Sequence, residues 1–96
     1  MITIDWKNQP LSLYKLFSNK EIGQPQVIIC SYLLYRRLEA CSSHVSHNVL
    51  RLAGQPPEIY SAQVLPTTCL QKNTIIVFGN KDFAVIENIQ DTAIQI

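Results

Sequence analysis

Charge is scarce in this sequence, and neither sign dominates. Charged residues make up 16% of the 96, where a typical soluble domain has roughly a quarter. Eight Lys/Arg against seven Asp/Glu leave a formal net charge of +1. A chain that tracks nucleic-acid phosphates needs a basic stripe or tail. Here Arg36-Arg37 is the only adjacent basic pair, so no nucleic-acid partner is expected. The three cysteines, Cys30, Cys41 and Cys69, form no CxxC spacing, which argues against a disulfide framework. Met1 to Lys7 has neither the charged start nor the apolar core of a signal peptide, and no apolar run approaches the length of a membrane span. No membrane partner and a reducing cytoplasm are the corresponding expectations. A surface poor in charge is one that a partner can bury with little desolvation.

Hydrophobic residues are present in ordinary supply, at 47%. The length suits one domain over residues 1–96, small enough that its core alone gives marginal stability. Ile2 to Asp5 alternates and predicts a strand. Pro10 suits a first helical position, and Leu13, Leu16 and Phe17 recur at helical spacing, which predicts a helix over about 10–20 closed by Gly23 and Pro25. Gln26 to Cys30 is a continuous apolar run, the pattern of a strand buried on both faces. Ser31 can cap a helix from Tyr32 to Ser42, with Leu34, Leu38 and Cys41 inward and Arg36, Arg37 and Glu39 outward. A polar loop over Ser42 to Asn48 follows.

Val49 to Leu52 resumes a strand pattern, stopped by the stiff elbow Gly54-Gln55-Pro56-Pro57. Ile59 to Val64 predicts another strand, ended by Pro66. Thr74 to Phe78 and Phe83 to Ile86 flank the turn signal Gly79-Asn80-Lys81-Asp82 and predict a hairpin. Thr92 to Ile96 is a last β-like segment. The order β-α-β-α-β-β-β-β, without repeat or linker, predicts an α+β fold: a small mixed sheet with two helices packed on it.

Each candidate for chemistry has a plainer reading beside it. Cys41, His44 and His47 offer a thiolate and two imidazoles for zinc, with Cys69 as a fourth group, but their spacing matches no common template and the plainer reading is a polar loop. A Cys/His nucleophile pair lacks an orienting third residue. Gly79 to Asp82 lacks the glycine spacing of a phosphate loop and reads as a turn. Cys30 reads as a small buried hydrophobe, and Trp6 and Tyr60 as packing residues. Tyr32, Tyr35, Arg36 and Arg37 put aromatic and basic groups on one helix, a composition that suits a protein interface better than a nucleic-acid face at this net charge. The interface candidates are therefore Tyr32, Tyr35 and Arg36, with Gln55, Pro56 and Pro57 at the elbow. No catalytic residue, metal or cofactor is expected.

Gln26 to Leu38 resembles the passage from a strand through Ser/Pro into a Tyr- and Leu-bearing helix in the major capsid proteins of tailed bacteriophages. Leu52-Ala53-Gly54-Gln55-Pro56 resembles their G-x-P step into a strand. Pro66, then Asn73 to Asn80, then Asp82 to Ile86, is similar to their closing strands. The likeness covers residues 10–90 in short apolar motifs. It does not extend to the family's N-terminal arm, extended loop or spine helix. It implies an axial-type domain that is non-enzymatic, needs no cofactor, and associates with copies of itself or docks onto a capsid subunit, in the host cytoplasm or the virion. Two other readings stand beside it: a small inhibitor or adaptor that binds a host protein, and a minor metal-binding or thiol enzyme built on Cys41, His44 and His47.

Overall fold

Alternation of apolar and polar residues makes the first segment a strand, because successive side chains point to opposite faces. The computed structural model describes residues 1–45, 58–91, 94 and 95, and of 41–45 the backbone alone. Strand β1 runs Ile2–Gln9, past the expected end at Asp5. Lys7 and Asn8 both take φ 57° and open a bulge opposite β6, after which Gln9 rejoins Ile89. The Asp5 carboxylate accepts from the Lys7 amide at 2.9 Å and from Asn88 Nδ2 at 3.0 Å. The Asn88 bond, then the Lys7 amide, hold the Asp5 carboxyl below its ordinary pKa.

The first helix is shorter than its periodicity predicts. Helix α1 spans Leu13–Phe17, with Ser12 as its N-cap. Pro10 lies outside it, since its carbonyl accepts the Trp6 indole N–H at 2.8 Å and the Ser12 hydroxyl takes the Lys15 amide. Strand β2 covers Pro25–Cys30. Ser31 then caps α2, accepting from Leu34 N while donating to the Lys72 carbonyl at 2.8 Å. Helix α2 runs Tyr32–Val45, so residues 42–45 continue the helix where a loop is expected. Leu34 and Leu38 are its buried stripe.

Strand β3 is Glu58–Ile59 and β4 is Ala62–Pro66, paired antiparallel with Ile59 opposite Ala62. The single strand expected over Ile59 to Val64 is thus a hairpin folded at Tyr60-Ser61. Both turn residues have positive φ, 48° and 72°, the two-residue turn that usually takes Asn-Gly. Neither residue signals it, and the Tyr60 ring is braced edge-on against Phe17 at 5.2 Å. Strands β5, Ile75–Gly79, and β6, Phe83–Ile89, form the expected hairpin, and β6 runs three residues beyond its expected end. The expected strands at Val49 to Leu52 and the Gly54 to Pro57 elbow lie outside the described residues. Of the last β-like segment, Gln95 bridges Ser12, exchanging bonds with Leu11 and Leu13.

The described strands form one mixed sheet in the order β1-β6-β5-β2-β4-β3. Pairs β1–β6 and β2–β4 are parallel, and the other neighbours are antiparallel. The connection through α2 returns the chain parallel to β2, as a crossover helix does. The α+β class, a small mixed sheet with two helices, is the observed architecture. One core holds Leu13 and Leu16 of α1 and Leu34 and Leu38 of α2 against Ile28, Cys30, Val64, Ile75, Val77 and Ile86 of the sheet. Both helices therefore cover the same face.

Candidate protein-interaction surface

With one face of the sheet under the helices, the alternate residues of every strand point the other way. On β2, Ile28 and Cys30 enter the core, and Val27 and Ile29 face outward, half-buried. Register carries this pattern across the sheet. One row runs Glu58, Gln63, Val27, Phe78, Phe83. The next runs Leu65, Ile29, Ile76, Val85, Thr3. Phe78 and Phe83 stack with ring centroids 5.4 Å apart. Phe78 is 39% exposed and Leu65 36%. Beyond these rows, Asp5 stands in register with Glu87, both exposed. No described helix or strand covers this face. Among the described residues, the β2 run read as buried on both faces is covered on one alone, because both helices pack on the opposite side.

The sequence-derived interface candidates divide between described and undescribed residues. Tyr32 is 53% exposed at the start of α2. Its ring meets Tyr35 edge-on at 6.4 Å, and Tyr35 packs against the core. Arg36 is exposed beside them. Arg37 instead donates from Nε and one terminal nitrogen to Asp91 Oδ1 at 3.1 and 3.0 Å, tying α2 to the chain after β6. Gln55, Pro56 and Pro57 lie outside the described residues, as does His47. Cys41 and His44 belong to the last turns of α2, where the backbone alone is described. Among the described residues, no three His, Cys, Asp or Glu side chains gather as a metal site, and no helix is long and apolar enough to cross a membrane.

The Gly79 to Asp82 loop has no amide left for a phosphate. Gly79 N donates to Asp82 O, Asn80 N to Gln24 O, and Lys81 N and Asp82 N both to Ile22 O. A phosphate loop works by presenting unpaired N–H groups, and these are spent on holding the loop to residues 22–24. The open cleft beside it, about 320 Å³ and lined by Phe17, Lys20, Gly23, Gln24, Asn80 and Lys81, is shallow and solvent-facing.

Cys30 is fully buried, and its thiol lies 3.9 Å from the Leu65 carbonyl. Burial pushes its pKa from 9.0 up to about 12. A neutral thiol is a poor nucleophile, so native Cys30 should resist a thiol reagent at pH 8 and react on unfolding. The raised pKa also sets a sign. Below pH 9 the thiol is protonated in both states. As pH rises from there toward about 12 the unfolded chain releases the proton first, so stability falls. Thermal melts of Cys30→Ala should lose that part of the alkaline slope.

No family model, no curated protein and no solved structure matches this chain.

Proposed function

We propose that this chain is a non-enzymatic assembly domain that works by burying the open face of its sheet against another protein. The observation that carries the reading is the pair of apolar rows centred on Val27, Ile29, Ile76 and Phe78, with no layer over them among the described residues. A contiguous apolar patch of a few hundred Å² or more marks an interaction surface. Aromatic residues at the centre of such a patch, here Phe78 and Phe83, are the usual anchors of a protein interface. The scarcity of charge in the chain points the same way.

The resemblance to capsid axial domains gives this reading one setting, in which the domain binds copies of itself or a capsid subunit. The exposed Tyr32 ring and its neighbour Arg36 supply a second contact on the helix layer, and an adaptor that docks onto a host protein would use it. Fluorescence of an apolar dye tests the main reading. Wild type at low concentration should enhance it, and Ile76→Lys should lose most of that enhancement with its melting curve unchanged. Equal enhancement by folded wild type and folded Ile76→Lys would contradict the reading.

A further inference from the structure

We propose that the open face is closed by the same face of a second copy, giving a two-fold sandwich of layers α/β/β/α. This rests on the reading of that face as the binding surface. Copies of a sheet can join at their edges or at their faces, and the β1 edge of this sheet is blunted. Strand β1 carries Lys7 and Asn8 in left-handed conformation, and the Lys7 amide donates to the Asp5 carboxylate. Bulges, short strands and edge lysines are the devices that keep sheet edges from pairing. The centre of the face lacks such protection among the described residues: Val27, Ile29, Leu65, Ile76, Phe78, Phe83 and Val85 carry no charge, and Glu58, Asp5 and Glu87 stand only at its border.

The dimensions suit a dimer. Five strands spaced about 4.8 Å apart make the face about 24 Å wide, and its two apolar rows make it about 14 Å long. That is roughly 330 Å² of apolar projection, the centre of a contact whose polar rim supplies the rest of the ~800 Å² per partner of a standard stable interface. A two-fold axis lying in the contact plane sets apolar rows over apolar rows, because the same patch serves both sides. Asp5 and Glu87 then fall in the solvated rim. At a formal net charge of +1, two copies repel each other little. Twisted sheets pack face to face at about 10 Å with their side chains interdigitated, and the protruding Phe78 and Leu65 can serve as those side chains.

Sedimentation equilibrium from low-micromolar to near-millimolar concentration tests this, with dye binding measured on the same samples. Wild type should form a dimer that does not grow further. Phe78→Lys and Ile76→Lys should each weaken it at least about 30-fold while melting like wild type at dilutions where wild type is itself monomeric. Tyr14→Lys, on the exposed side of α1, should leave it intact. A wild type that stays monomeric throughout, while its dye binding still depends on Ile76, overturns the second copy and leaves the binding face standing. Dye binding indifferent to Ile76 fails the face itself. A dimer that survives both sheet-face variants and dissociates with Tyr14→Lys overturns the proposal and moves the contact to the helices.

Discussion

Ile28→Ala should destabilise the folded chain by about 2–5 kcal/mol, whereas Ile29→Thr, one position on, should stay within about 1 kcal/mol of wild type. The two residues are neighbours in one strand and chemically identical. Ile28 is fully buried between Val64 and Val77 in register, under the helix layer. Removing its side chain beyond Cβ leaves a cavity that the neighbouring strands cannot close without losing their pairing. Ile29 lies half-buried on the other face, flanked by Leu65 and Ile76, with no described element above it. Threonine there keeps the β-branched shape that strands favour and loses only outward-facing apolar surface. In a domain of this size the core variant should melt roughly 10 °C or more below wild type. Ile75→Ala and Ile76→Thr should repeat the contrast one strand away. The open-face variants should instead lose association, so stability and assembly are read from different columns of the same sheet.

Gly79→Ala should cost at least about 2 kcal/mol, although alanine is the smallest change available. A Cβ at Gly79 collides with the backbone carbonyl of Ile22, and backbone cannot swing aside as a side chain can. That carbonyl accepts from the Lys81 and Asp82 amides, and the Asn80 side chain accepts from Gln24 N at 2.9 Å. Pushing the two segments apart strips these bonds and lifts Ile22, a fully buried residue, from the core. Lys81→Ala, in the same loop but exposed, should leave the urea midpoint within error of wild type.

Much of this architecture is legible in the chain because local chemistry and final structure agree there. Ser31 sits between an apolar run and an amphipathic stretch, and it caps α2 as its hydroxyl allows. Gly79 to Asp82 separates two β-rich runs and is the hairpin loop. Three features resist reading for physical reasons. Tyr60-Ser61 forms a tight turn without Asn or Gly, held by the Phe17 ring, a contact more than forty residues away in sequence. Strand β1 continues through Lys7 and Asn8 because β6 waits beside it, not because those residues favour strand. The open face is the third. Val27 to Ile29 signals a strand apolar on both sides, and the usual inference is two covering layers. Both helices lie on one side, so the same signal here leaves an apolar face that no other described element covers.

Solvent paramagnetic relaxation of methyl groups tests the open face most directly. Side chains of Val27, Ile29, Leu65, Ile76 and Val85 should relax strongly in dilute protein with a soluble paramagnetic agent. They should become protected as concentration rises, while Ile28, Val64 and Val77 stay protected throughout. Methyls of the open face that remain equally accessible at every concentration would contradict burial of that face by a second copy. Protection that appears first on the helix layer would place the contact on the opposite side of the molecule.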